Sequence, residues 1–506
     1  MSNNIKKDAL SSYTNLFVSI LAGFIVVPII ESNVGKSYFG IYQFIFTLTA
    51  YSELMTMGLG KTVERYVAKF SVEKKISQES LMLSMVLSIY IATALIFLIA
   101  SGVIYIQFGN IFNFTGDELS IAKICFIIAA ISAGLNIPAS VFQSFLRGKG
   151  KYSFVFNIGT IQVVARLFLV AISLNLGYGI ISVFIIDTVL FQGANFVYIL
   201  RAISKNKIEL QLFKYDKELF SELFKYSSFV FLGGMAQTLY WNTDNIILGV
   251  FTDTETIAEY ALSQRLINYF YRYGTAFSGL FLPKLMEYHC IENQKDSKEM
   301  IVKLFTRGSR HQGILTSFAM VNFLILGRDF IALWVGDGYH MTYIYTVIIL
   351  IPFWPVLTQS TGIEVLYAMK KHKINTIIYF GNAVINVIST IFLVQIIGPM
   401  GAAISTGVTV FIGSFVLTNI YYKYLLNMKL SDYFIEVFGK NLLVSGIILV
   451  YGHILNLWIT DVNFLNFTSK TLMINIVWIP AILFILLDSY DRKVFYKMLK
   501  INKRTV

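Results

Sequence analysis

The stretch SQRLINYFYRYGTAFSGLF, residues 263–281, is apolar, aromatic and long enough to cross a bilayer, yet it carries two arginines, Arg265 and Arg272. Seven residues make nearly two helical turns, so both guanidinium groups project from one helix face. A charge at the centre of a spanning helix costs at least ~2.5–3.5 kcal/mol. A planar guanidinium fork gives paired hydrogen bonds to phosphate or carboxylate oxygens, so the chemistry on offer is anion binding at depth. Six more ionisable residues interrupt apolar runs: Glu53, Lys123, Arg166, Asp187, Asp244 and Glu364. Arg166 and Asp187 fall on consecutive helices, both about 10–12 Å deep at the helical rise. Asp244 and Arg265 stand in a similar relation. Such pairs read either as salt bridges that neutralise buried charge or as parts of a site. Lys123 and Glu364 lie near helix ends, where long side chains snorkel.

Arg272 lies about 21 Å below the outer surface by the same rise, and its own hairpin offers no acid at that depth. Glu53 occupies the nearly equivalent place in an internal repeat described below. Glu53 and Arg272 therefore stand at nearly equal depth on helices two and eight, and the family resemblance given below, which implies that these helices face each other across a cavity, makes them a candidate inner gate, with an incoming phosphate displacing the carboxylate. Arg272, Arg265, Arg166 and Tyr269 form the candidate substrate-binding set. Glu53, Asp187, Asp244 and Glu364 are the candidates for gating or for proton or sodium coupling. Aromatic clusters at 239–241 and 269–273 offer faces to sugar rings, or serve as packing and interfacial belts.

No catalytic constellation is visible. The GKS at 35–37 lacks the upstream glycine of a phosphate loop, and RGKGKY at 147–152 has tyrosine where a hydroxyl residue should follow the lysine. The five histidines are scattered without metal-ligand spacing. Neither an enzyme nor a cofactor is expected. Cys125 sits in an apolar run and Cys290 in a basic loop, so they cannot pair.

The elements that must position these residues are set by composition. The 506 residues are 56% hydrophobic and 14% charged, with mean hydropathy +0.66. Apolar runs of about twenty residues recur throughout, the pattern of an all-α polytopic membrane protein. Fourteen spans are expected, at 12–30, 39–59, 81–108, 119–146, 153–174, 180–200, 226–250, 258–281, 309–327, 341–368, 375–397, 399–420, 441–460 and 471–488. Of 41 Lys and Arg, 34 lie on the side shared with the termini, 3 on the other side and 4 inside helices. By the positive-inside rule both termini are cytoplasmic. The net charge of +12 reflects that topology and lipid headgroups and gives no support for nucleic-acid binding.

The chain repeats itself. LRGKGKYSFVFNIG (146–159) matches AMKKHKINTIIYFG (368–381), and GYGIIS matches GPMGAAIS, both at an offset of 222 residues. FGIYQF matches AEYALS, with Tyr42 and Tyr260 offset by 218. Six helices per repeat is even, so the copies share one orientation, related by an axis along the membrane normal. The expected domains are an N-terminal lobe with linker (1–225), a C-terminal lobe (226–435), and helices thirteen and fourteen with a basic tail (436–506). The lobes would enclose a central cavity. The linker, 201–227, reads as an amphipathic helix on the inner leaflet or as a solvated connector.

VGKSYFGIYQFIFTLTAYSELMTMGLGKTVERYVAKF (34–70) resembles the opening of bacterial polysaccharide-unit (O-antigen, Wzx-type) flippases. The features carrying the resemblance are Gly40 and Tyr42 entering helix two, the MGLG turn, and RYVA at 65–68. GPMGAAIS fits that family's glycine-rich turn before helix twelve. The family belongs to the multidrug/oligosaccharidyl-lipid/polysaccharide exporter superfamily. The resemblance implies alternating-access transfer of a polyprenyl-pyrophosphate-linked oligosaccharide from inner to outer leaflet. It also implies a cationic cavity, which Arg265 and Arg272 would supply, and polysaccharide polymerase machinery as a partner. Helix one departs from the pattern in having no basic residue. A lipid II flippase and a cation-coupled multidrug exporter are the nearest alternatives; a membrane polymerase would need a larger outer loop.

Overall fold

The computed structural model describes residues 2–206, 208–489 and 491–492, and among these every regular element is helical. The chain divides into two compact units, Met1–Ala261 with Thr390–Pro399, and Leu262–Ser389 with Met400–Val506. Among the described residues eleven helices are long and apolar enough to cross a membrane. The remaining three expected spans, the second, seventh and eighth, are helical but shorter or more polar, and they carry Glu53, Asp244, Arg265 and Arg272.

In the first unit, α1 (Ser2–Val34) packs on α6 (Tyr152–Asn175), while α5 (Gly116–Gly148) packs on α4 (Ile76–Ile111) and on α7 (Gly179–Asn206). The expected second span, 39–59, is broken. Helix α2 (Lys36–Ala50) passes into a 3-10 turn, Tyr51–Thr56, and α3 (Leu59–Glu73) begins after it. Met57 and Gly58 both adopt left-handed backbone, at φ 50° and 68°. A Cβ on Gly58 would also stand 2.8 Å from the amide nitrogen of Phe231, so this turn demands glycine twice over. Gly40 has a purely steric role. Its Cβ would lie 1.8 Å from the Thr254 carbonyl oxygen, so only glycine lets α2 cross the start of α9 (Thr254–Thr275).

The linker is not an independent amphipathic helix. Helix α7 continues to Asn206, residues 208–216 are irregular, and α8 (Lys217–Phe251) starts where the Asp216 side chain accepts from the Leu219 amide at 3.0 Å. The reason lies on α4, where Ser80, Ser84 and Ser88 line one face at four-residue spacing. Their hydroxyls accept from the amides of Glu209, Gln211 and Phe213 at 3.4, 2.9 and 2.9 Å. Extended chain has period two and the helix face advances four residues per step, so alternate linker amides meet successive serines. A helix over these residues would turn those donors inward.

In the second unit α11 (Gln294–Val335), 42 residues long, is the central post. At the helical rise it is about 63 Å long, twice the hydrocarbon thickness. Helices α12 (His340–Thr358), α18 (Lys440–Trp458) and α19 (Phe464–Ala481) pack against it. Two spans are broken here as well. Helix α9 gives way to a 3-10 turn, Ser278–Phe281, before α10 (Leu282–His289); α12, with Pro352 and Pro355 inside it, stops before α13 (Thr361–Ala368). The expected continuous span 258–281 therefore ends at Thr275. Lys470, one residue ahead of the expected span 471–488, is 2% exposed on α19 and bonds Asp329 at 2.7 Å.

Candidate functional site

In the second unit, Arg265 and Arg272 lie on α9, about 10.5 Å apart along the axis. Arg265 is half-buried and Arg272 exposed. Tyr269 lies between them, within the field of both charges. Among the described residues no acid reaches ion-pair distance of Arg272. The intervening residues of α9 pack by their rings: Tyr271 stacks on Phe353 with centroids 6.3 Å apart, and Phe270 meets Phe323 edge-on at 5.4 Å.

The end of α9 is anchored by a polar node. The Gly274 carbonyl accepts from the Ser360 hydroxyl at 3.1 Å and from Gln312 Nε2 at 3.5 Å. The other end of that amide, Gln312 Oε1, accepts from the Thr361 amide and hydroxyl at 3.0 and 2.7 Å. Gln312 is 2% exposed and joins the break after Thr275 to the break before Thr361. Broken helices free backbone groups inside a membrane, and these must find partners; Gln312 supplies them. Glu364, half-buried on α13, has the Ser278 hydroxyl against its carboxyl, beside the same break.

In the first unit, Arg166 on α6 grips Asp187 on α7, with Nε–Oδ1 2.5 Å and Nη2–Oδ2 3.1 Å. Nη2 also donates to the Tyr42 hydroxyl at 2.7 Å. Asp187 is 4% exposed. Asp244 on α8 is fully buried and accepts from the Tyr260 hydroxyl at 2.7 Å and from Thr390 Oγ1 at 3.1 Å. The paired tyrosines of the repeat thus each hold a buried charge, Tyr42 a cation and Tyr260 an anion. Glu53 is exposed, in the 3-10 turn Tyr51–Thr56, and makes no ion pair among the described residues. Adjacent Tyr51 bonds Thr243 at 2.7 Å.

Sequence reasoning passed over two clusters. Gln312 is one; a lone glutamine inside an apolar helix was its only signal. The other is Asn386, fully buried, whose Nδ2 donates to Ser405, Thr406 and Thr409 at 3.0–3.3 Å. Its hydroxyl partners all lie in AAISTGVT, at helical spacing. No group of three or more His, Cys, Asp or Glu side chains stands ready for a metal among the described residues.

The arrangement supplies fixed cations and carboxylates inside apolar helices. Comparison with known proteins agrees with that chemistry. The chain is 22% identical over 431 residues to a putative O-antigen transporter of Shigella flexneri, covering 81% of this chain and 97% of that protein. It is 24% identical over 198 residues to the probable flippase AglR of Haloferax volcanii, covering 38% and 40%. Among solved structures it resembles the lipid II flippase MurJ in an inward closed conformation, with TM-score 0.70, 18% identity, and 97% and 100% of the two chains covered. It also resembles an inward-facing multidrug resistance MATE family transporter of the MOP superfamily, with TM-score 0.65, 12% identity and coverage of 82% and 98%. The profile of the polysaccharide biosynthesis protein family matches residues 5–284, more than half of the length, and this chain belongs to that family.

Proposed function

We propose that this protein is a flippase of the cytoplasmic membrane. It carries polyprenyl-pyrophosphate-linked oligosaccharide units from the inner to the outer leaflet by alternating access, and so feeds surface polysaccharide assembly by a polymerase. The observation that carries this reading is Arg272, an exposed guanidinium with no acid partner among the described residues, in an aromatic-rich stretch of a span that breaks three residues later. A pyrophosphate takes paired hydrogen bonds from that fork, and Arg265, two turns away, takes the second phosphoryl or an adjoining sugar hydroxyl. The aromatic faces of Tyr269 and Tyr271 suit sugar rings. The family membership and the Shigella relative's name support the same substrate class.

Arg166 is committed to Asp187 and Tyr42, and acts by holding its helices rather than by meeting substrate. Glu53 and Arg272 close the inner half when they pair, and Asp244 is the coupling acid for protons or sodium. A lipid II flippase is the second reading, favoured by the fold likeness over the whole chain. The test is complementation of two bacterial strains, one lacking its O-unit flippase and one lacking its lipid II flippase. Restored surface polysaccharide in the first strain alone supports the proposal; rescue of only the second strain overturns it in favour of lipid II.

A further inference from the structure

The second unit holds a cavity of about 610 Å³ away from Arg265 and Arg272, between the first turns of α11 and the segment 426–436. That segment joins α16 (Thr418–Leu426) to α17 (Leu430–Phe434) through Asn427 in left-handed backbone. Six bases line the cavity, Lys295, Lys298, Lys303, Arg307, Arg310 and Lys429, against four acids, Glu299, Asp432, Glu436 and Asp488. Much of this charge is already paired. Lys303 holds Glu299 at 2.9 Å, Arg310 holds Asp488 at 2.6 Å and Asp491 at 2.7 Å, and Arg307 holds Asp491 at 2.6 Å. Lys295, Lys298 and Lys429 bond no acid among the described residues, and the buried Arg310 Nε has no acceptor. The floor is apolar, formed by Leu426, Met428 and Tyr433, each at most 6% exposed.

Surplus positive charge over an apolar floor suits an anionic amphiphile. Depth decides which one. Arg307 and Arg310 stand where the apolar run 309–327 begins, and the lysines lie further out on the side where the chain's basic loops gather. That is the level of lipid headgroups in the inner leaflet, where anionic lipids concentrate and basic pockets between helices bind their phosphates. We infer that this cavity binds the phosphate headgroup of an acidic inner-leaflet phospholipid, with Lys295, Lys298 and Lys429 contacting the phosphate and Leu426, Met428 and Tyr433 seating the glycerol end. The lipid ties the expected cytoplasmic end of α11 to the turn that leads into α18. This site is separate from the transport site and does not depend on what is transported.

The test uses the full chain purified from nanodiscs made of equal phosphatidylglycerol and phosphatidylcholine, with retained phospholipid identified by mass spectrometry. The parent protein should retain phosphatidylglycerol selectively. Joint Lys295→Gln, Lys298→Gln and Lys429→Gln should lower that selectivity roughly tenfold or more, since each basic side chain near the surface contributes appreciably to anionic-lipid attraction. Lys429→Glu alone, at an exposed position, should show a partial loss and guards against misfolding of the triple variant. Selectivity unchanged in both variants would overturn the site. Displacement of the retained lipid by millimolar inorganic phosphate would also overturn it, since that marks a free-anion site instead.

Discussion

Arg166 and Asp187 meet through two hydrogen bonds, at 2.5 and 3.1 Å, with Tyr42 capping the guanidinium from a third helix at 2.7 Å. The pair neutralises both charges and fixes α6 and α7 in register. Removing one partner of a buried pair typically costs about 3–5 kcal/mol, whereas replacing both by apolar residues is often neutral. Arg166→Met and Asp187→Leu should each lower the thermal unfolding midpoint in detergent, and the double variant should recover most of the loss. A double variant as unstable as the worse single one would contradict a mainly structural pair.

Arg272→Ala should nearly abolish polysaccharide export at normal protein abundance. Arg272→Lys should keep part of it, because lysine retains the charge and loses the planar fork. Export assays with immunoblotting read both. Full export by Arg272→Ala would remove this residue from the substrate site.

Gln312→Leu keeps the volume, strands the Thr361 amide and hydroxyl, and leaves the Gly274 carbonyl with the Ser360 hydroxyl alone. Leaving buried groups without partners costs about 1–3 kcal/mol each, so the unfolding midpoint should fall. Thr361→Val removes the 2.7 Å hydroxyl bond and keeps the amide bond, so its effect should be smaller. Equal midpoints for parent and Gln312→Leu would show that the two breaks do not depend on the node.

Asp491 carries a pH prediction. Burial alone raises its carboxyl, but the hydrogen bonds from His311 and Arg307 outweigh that and hold it well below the usual carboxylate range. A depressed folded pKa contributes stability that is complete above the unfolded value, about 3.9, and is lost as pH falls through the folded value. The cluster should therefore stay intact from neutral pH to about pH 5, and Asp491→Asn should destabilise the protein throughout that range. A variant matching the parent at pH 7 would show the cluster to be inert.

Topology is checked by cysteine labelling in a Cys290→Ser background, since Cys290 is exposed and Cys125 buried. Cysteines at Asn113 and Asn463, both exposed, should react with an impermeant thiol reagent in intact cells. One at Lys371, also exposed, should not. Labelling at Lys371 alone would invert the orientation.

What the sequence disclosed, and what it hid, follows from the range of the interactions. Apolar run length disclosed the helices, because burial in lipid is a property of each segment alone. Equal depth brought Arg166 to Asp187 because hairpin neighbours share one coordinate. Tyr42 and Tyr260 were legible as repeat partners, but the opposite charges they hold lie on other helices and carry no local mark. The breaks after Ala50 and Thr275 were hidden because apolar residues continue through them. Only Met57–Gly58 and the position of Gln312 reveal them, and both take their meaning from tertiary contact.

The serine face of α4 has a consequence for how this region can drift in evolution. Ser80, Ser84 and Ser88 receive main-chain amides, so they are indifferent to which side chains stand at 209–213. Apart from Phe213, whose left-handed backbone at φ 62° disfavours β-branched residues, most substitutions there preserve the docking, and proline alone is bound by a strict parity. Proline at 209, 211 or 213 deletes a donated hydrogen, whereas proline at 210 or 212 deletes none of the three. Relatives with quite different residues in this stretch can therefore share its path, provided proline keeps to the even positions.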